Sequence, residues 1–426
     1  MEREGIDAMA EGAVFEFDEV VDRSESTSMK WCFPGSFLTP DQVRARPTPM
    51  WLADMDFRSP RAITQAIQDE VARGVFGYSL VRDSYFGAVA GWQRRRFGWH
   101  VAEDWIVPVA SVIAALKTVI HAFSRPGDSV LIQPPVYVHF HHDVLINGRH
   151  LATAPLAFDG ERYRFDAEAF ERAIQPDTRL FILCNPHNPT GNVWTPDELR
   201  AMGDICRRHG VLVISDEIHG DFVFGAGTRH TPFASLGSEY AQDSVTCISA
   251  SKTFNLAGLQ CANIVVSDPH KRDEIRRTIE RNMNAHVNMV GAIATEAAYT
   301  SGDQWVDALV EKIAANHAYF RTEVNARVEG IRVLGTDALY LAWIDCRDLE
   351  LPPAQLEDFL LTRARVWFDR GPKFGKEGHG FMRANLACPR QTLDRAIAQL
   401  AAVLPRGQAG PARVRGQAAP SIDTPA

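Results

Sequence analysis

The sequence offers no Cys-x-x-Cys pair, no basic leader followed by an apolar stretch, and no apolar run long enough to cross a bilayer. Its seven cysteines are odd in number and scattered, the pattern of reduced thiols in a cytoplasmic protein rather than of a disulfide framework. Positive charge is in short supply: 45 Lys and Arg face 53 Asp and Glu, a net charge of −8 that speaks against nucleic acid or an anionic membrane as partner. No internal repeat is visible. What is plentiful is apolar residue, 46% of a 426-residue chain, enough for a large core and more than one folding unit.

The middle of the chain alternates short apolar runs with helical segments. Strands are predicted at Ser129–Ile132, Leu180–Cys184, Val211–Ile214, Val245–Ser249 and Asn263–Val266. These runs are continuous rather than alternating, as in a largely parallel sheet covered on both faces. Ser59-Pro60 reads as N-cap and first residue of a helix that carries Ile63, Ile67 and Val71 and closes at Gly74. Thr195-Pro-Asp-Glu198 reads as a capping box, with Gly210 closing its helix. Beyond Trp305 the pattern becomes a long helix followed by strands at Leu339–Ile344, Arg365–Phe368 and Gly380–Leu386. The expected organisation is an N-terminal segment (1–58) packed on the smaller unit, a large α/β unit (59–304), a smaller α+β unit (305–405) and a disordered tail (406–426).

Ligands of open α/β sheets bind beyond the carboxyl ends of the strands. Ser129–Ile132 leads to Tyr137, an aromatic face, and Leu180–Cys184 leads to Asn185-Pro-His-Asn-Pro-Thr-Gly191, a rigid turn presenting Asn188. Val211–Ile214 leads to Asp216 and His219, and Val245–Ser249 leads to Ser249, Ser251 and Lys252. Ser111 opens a further helix whose first amides, at Val112 and Ile113, suit a phosphate. Singly, each has a plain structural use: a helix cap, a core ring, a turn former, a surface lysine. Together they supply a ring stacker, an amide, a carboxylate, an amine and a phosphate cradle, the set that pyridoxal 5′-phosphate requires. Lys252 would take its aldehyde, Asp216 its pyridinium nitrogen, and Ser249, Ser251 and the helix N-terminus its phosphate.

At these residues the chain resembles the fold-type I, class I/II aminotransferase superfamily, through Asn185–Gly191, Ser215-Asp-Glu-Ile-His219, Ser249-Ala-Ser-Lys252 and Arg383-Ala-Asn385. Met50-Trp-Leu-Ala-Asp-Met-Asp-Phe57, Phe76-Gly-Tyr78, Asp216–Phe222, His230-Thr-Pro-Phe233 and Ser251–Gly258 are similar to its cystathionine β-lyase/cysteine-S-conjugate β-lyase branch. The resemblance runs from about Phe15 to Leu404. It implies that Asn188 and His219 lie near the cofactor's 3-hydroxyl and that Arg383 binds the substrate α-carboxylate, with Asn188 and Asp56 also on the substrate side. It further implies a homodimer with shared active sites, in which Tyr78 reaches the neighbouring subunit's cofactor phosphate. The implied activity is cleavage of an S-substituted L-cysteine to thiol, pyruvate and ammonia. Aminotransfer, or a decarboxylating or oxidative variant of the same chemistry, is the alternative. Two positions depart from the pattern: Gln260 stands where aminotransferases carry a phosphate-binding arginine, and Leu339 stands where a threonine is expected.

Other classes fit less well. Ser249-Ala-Ser-Lys252 formally matches the Ser-x-x-Lys of β-lactam-binding serine enzymes, but no Ser-Asp-Asn or Lys-Thr-Gly partner exists. A non-catalytic regulator lacks any helix-turn-helix pattern across Asp18–Asp56. His139, His141 and His142 suggest same-face metal ligands on a strand, yet no second cluster stands at metal spacing, so the segment reads as merely polar and no metal is expected.

Overall fold

A computed structural model describes residues 15–282 and 287–406; the expected tail lies, except for Arg406, outside the described residues. The five predicted strands lie within a seven-stranded sheet: β1 (Ile106–Val109), β2 (Ser129–Ile132), β3 (His150–Thr153), β4 (Thr178–Cys184), β5 (Leu212–Asp216), β6 (Ser244–Ile248) and β7 (Ala262–Val265). Their spatial order is β1-β7-β6-β5-β4-β2-β3, and only β7 runs against its neighbours. The two strands absent from the sequence reading are the sheet's edges. β1 carries Pro108, which removes a ladder donor and is tolerated where only one side of a strand pairs. β3 leaves His150 and Thr153 exposed and so lacks an apolar run.

Both faces of the sheet are covered, which explains the unbroken apolar strands. Val130, Ile132, Ile182, Ile214 and Val245 pack with Val112, Leu116 and Val119 of α1 (Val112–Phe123) and with Phe140 and Val144 of α2 (Val138–Ile146). The intervening residues Leu131, Phe181, Leu183 and Val213 pack on the other face with Leu199, Met202 and Cys206 of α3 (Pro196–Arg208). Thr195 caps α3 in the predicted box, a contact typically worth about 1 kcal/mol. The helix predicted from Ser59 is present but shifted: it spans Arg61–Val71 with Pro60 as N-cap, because the Ser59 hydroxyl donates instead to the Phe254 carbonyl at 2.9 Å.

The C-terminal part builds a four-stranded antiparallel sheet from β8 (Arg332–Val333), β9 (Leu341–Asp345), β10 (Asp369–Arg370) and β11 (Phe381–Asn385), in the order β8-β9-β11-β10. Two predicted strands change here. Leu339 adopts φ +73° and donates its N–H to Phe222 O at 2.8 Å, so the extended run starts only at Leu341. The run predicted at Arg365–Phe368 divides: Val366–Trp367 pairs in parallel with Thr48–Pro49, and β10 follows separately.

That pairing begins a seam that ties the N-terminal segment to the small sheet. Met50 N donates to Trp367 O (2.8 Å), Asn385 N to Met50 O (2.7 Å), and Asp56 N to Ala387 O (2.9 Å). The Asn385 amide closes it, donating to Leu52 O and Asp54 O at 2.7 Å each. Lys30 is buried beneath, with Nζ 2.8 Å from Asp56 Oδ2 and 3.1 Å from Asp54 O. Among the described residues, Lys30→Ala would leave the buried Asp56 carboxylate with only the longer ionic contact to Arg23, at 3.6 Å, and is expected to destabilise the protein by about 3 kcal/mol. Lys30→Met combined with Asp56→Leu is expected to recover most of that loss. Urea unfolding of the variants checks both, and an unmoved midpoint in Lys30→Ala would remove this ion pair from the account of the seam.

Candidate active site

The carboxyl ends of β4, β5 and β6 meet α1's N-terminus on one side of the sheet. Register places Cys184, Asp216 and Cys247 in one row across these strands. All three are buried, so the Asp216 carboxylate sits between two thiol-bearing positions that offer it little polar relief. Its one hydrogen bond comes from Ile218 N at 3.2 Å. Burial raises its pKa to about 7; the Ile218 N–H opposes this, Glu217 adds to it, and Lys252 opposes it.

Lys252 belongs to a single helical turn, Ala250–Thr253, immediately after β6. Its Nζ donates to Ala53 O at 2.7 Å. Tyr340 donates its hydroxyl to the same oxygen at 3.2 Å. Although part of the lysine side chain borders open space, the protein around its amine lowers its pKa to about 8, burial first and Arg383 second, against the pull of Asp54 and Asp216. Thr253 Oγ1 fastens the turn to Asp221 Oδ2 at 2.7 Å.

Arg383 rises from β11, where it faces Asp369 of β10 in register. One guanidinium nitrogen reaches Asp369 Oδ2 at 3.0 Å and Trp51 O at 3.3 Å, and the other reaches Asn188 Oδ1 at 3.2 Å. Its Nε is buried without a partner, so the fork keeps a free donor. Asn188 is positioned by its own N–H on Cys184 Sγ (3.3 Å), within a turn that closes at Gly191. Gly191 has φ +73°, and a Cβ there would collide with Thr336. His219 is buried with Nδ1 unpartnered, and burial, then Lys252 and Arg383, holds its pKa well below the usual range.

Ser111 caps α1, its hydroxyl accepting from Ala114 N at 3.1 Å, which leaves the first amides, of Val112 and Ile113, at the helix mouth. Ser249 Oγ donates to Cys261 O (2.7 Å), accepts from Ser251 N (3.0 Å) and lies 2.9 Å from Ser251 Oγ. Tyr137 stands at the N-cap of α2, its pKa raised by burial and shaped further by Arg383 and Asp216. Gln260 is exposed in a left-handed conformation.

Two placements, those of Asp56 and the histidine segment, differ from the sequence reading. Asp56 is not free for substrate: Lys30 and Trp31 Nε1 each approach its carboxylate to 2.8 Å. Tyr78, expected to serve the neighbouring subunit, is fully exposed beside exposed Phe76 and Leu80. The histidine segment is the helix α2, not a strand, so His139 and His142 share a face with Asp143 while His141 does not join them. Three contributors went unread: Asp369, which holds Arg383, Tyr340, and the Ala53 carbonyl. Only Tyr340 left a signal, as an aromatic within an otherwise aliphatic run.

Comparison with known proteins gives the family. Residues 56–400 match the family Aminotransferase class I and II, and the chain belongs to that family. It is 40% identical to cystathionine beta-lyase PatB of Bacillus subtilis (strain 168), over 91% of this chain and 99% of that protein. Two solved structures superpose closely. Cystalysin from Treponema denticola, which contains a pyridoxal 5′-phosphate cofactor, is 28% identical with a TM-score of 0.86, over 92% of this chain and 98% of that one. The PLP-bound C-S lyase from Staphylococcus hominis is 28% identical with a TM-score of 0.84, over 92% and 99%.

The depressed lysine has a thermodynamic signature. Its folded pKa of about 8 lies below the ordinary 10.5, so between these values the unfolded chain binds a proton that the folded one does not. Stability of the ligand-free protein therefore rises with pH across that window. Lys252→Met is expected to be more stable than the parent at pH 7, with the advantage shrinking towards pH 10. Denaturant unfolding at both pH values checks this, and a constant difference would contradict it.

Proposed function

We propose that this protein is a pyridoxal-phosphate-dependent carbon–sulfur β-lyase acting on an S-substituted L-cysteine. The observation that carries the cofactor is Asp216, a buried carboxylate that no side-chain cation among the described residues meets at salt-bridge distance. Such a group fits a ligand that brings its own positive nitrogen, and Lys252 beyond the next strand end fits that ligand's aldehyde. Tyr137 would cover the ring, Asn188 and His219 would lie at its hydroxyl, and Ser111, Val112, Ile113, Ser249 and Ser251 would hold its phosphate. The preference for lyase over aminotransferase rests on two of the relatives, the Bacillus subtilis and Staphylococcus hominis proteins, which are named as lyases and match along nearly their whole length.

Pyridoxal phosphate, when bound, supplies a carbonyl for the substrate amine and a ring that accepts the electron pair left at Cα. The chain does the rest. Arg383, braced by Asp369 and Asn188, offers its fork to the substrate carboxylate and orients Cα–H. Lys252 Nζ takes the Cα proton, for which it must be neutral; its lowered pKa supplies that form near pH 8. Asp216 holds a negative charge where a protonated ring nitrogen needs one. Loss of the thiolate from Cβ and addition of water then give thiol, pyruvate and ammonia.

The same reading makes the protein a cytoplasmic homodimer in which Tyr78 reaches the phosphate of the partner's cofactor, supported by the exposed apolar run of Val75, Phe76, Tyr78 and Leu80. Among the described residues no helix is long and apolar enough to cross a membrane. The proposed units are 59–304 and 305–405, with residues up to 58 packed on the smaller one; the seam through Met50 and Asn385 supports that division.

With cystathionine as substrate, thiol and pyruvate are expected to appear in equal amounts without added keto acid. Turnover that stops after one equivalent and resumes with a keto acid would mean aminotransfer instead. Lys252→Ala is expected to abolish thiol release while retaining cofactor non-covalently, and Asp216→Asn to lower kcat by about 100-fold or more. Arg383→Lys, which loses the fork, is expected to raise KM more than it lowers kcat.

A further inference from the structure

We propose that His139, His142 and Asp143 form a binding site for a zinc-class divalent cation on α2. The three follow one another at i, i+3 and i+4, so one helical face presents them together. One ligand atom from each lies within 4.8 Å of the others. Asp143 Oδ1 is 3.4 Å from His139 Nδ1 and 3.2 Å from His142 Nδ1. These separations are long for charge-assisted hydrogen bonds, which favour about 2.7–2.9 Å. They match the edge of a tetrahedron with metal–ligand distances of about 2.0–2.1 Å, which is roughly 3.3–3.4 Å.

Burial supplies a second, independent sign. The Asp143 side chain is only 1% exposed, and its Oδ2 has no hydrogen-bond partner. Oδ1 is shared among His139, His142 and Lys117, all at 3.2 Å or more, and a bound ion would replace these long contacts with direct ligation while answering the buried carboxylate whose other oxygen has no partner. Lys117 Nζ, 3.5 Å from Asp143 Oδ1, competes for the same oxygen. Its side chain is 37% exposed, so water can take up its ammonium when an ion arrives. His142 is half-exposed and leaves the fourth corner to water. Two imidazoles and one carboxylate suit zinc and its first-row neighbours, not calcium or magnesium. The His139 ring also lies 5.2 Å from the Tyr137 ring, so an ion here would fix a side chain that borders the candidate active site. The inference does not depend on the reaction proposed above.

Holoenzyme cleared of metal by chelator and dialysis, then titrated with zinc chloride in a calorimeter, tests it. The expected result is one zinc per chain with a dissociation constant on the order of micromolar, a binding event worth about 8 kcal/mol. His139→Ala and His142→Ala are expected to abolish it, and Lys117→Ala to tighten it. Cobalt in place of zinc is expected to give the intense visible bands of four-coordinate geometry. No zinc uptake by the parent in this range, or equal uptake by the folded double variant His139→Ala/His142→Ala, would overturn the proposal.

Discussion

Asp216 is a carboxylate surrounded by protein and touched by one N–H. An anion so placed is expensive to keep charged, and its raised pKa records the expense. The fold holds it there through two well-paired neighbours, β4 and β6, whose adjacent residues, Cys184 and Cys247, give the carboxylate no hydrogen bond. Strand pairing therefore supplies the rigidity that polar contacts would otherwise provide, and the carboxylate stays available to a cationic ring. Lys252 stands in the opposite predicament: a cationic amine depressed towards neutrality by burial and by Arg383. The two perturbed groups belong to adjacent strands, so one sheet sets both.

The central sheet was largely legible because its strands are buried on both faces, and an unbroken apolar run is the direct imprint of that burial. The edges were not legible, since Pro108 in β1 and the exposed residues of β3 carry no such imprint. The cluster of Lys252, Asp216, Asn188 and Arg383 could be read from strand ends and from family motifs. Asp369 could not: it meets Arg383 only because β10 and β11 pair in one register, and β10 is two residues long. Asp56 misled for the same reason. A carboxylate in a conspicuous motif looks available until the fold brings Lys30 and Trp31 against it.

Electrostatic compensation runs through the small sheet as well. Arg383 would be a buried cation of considerable cost, but Asp369 answers it on one side, and Lys373 answers Asp369 at 2.7 Å in turn. Phe374 lies under the guanidinium, 4.8 Å from the ring centre. Arg383 is thus fixed in direction by charge and by a ring face, with its Nε left over. A guanidinium prepared in this way loses little freedom when a carboxylate arrives.

Ala53 brings no polar side chain, yet its carbonyl oxygen receives both Lys252 and Tyr340. The strand of chain that carries it is pinned by Asn385, more than 330 residues further along. Asn255, three residues beyond the lysine, holds the same segment through Met55 and Phe57, so the berth of the reactive amine is fixed from both ends of the chain. The aim of one lysine is thus a long-range property: a change at Asn385, in the last strand of the small sheet, reaches the amine through a single carbonyl.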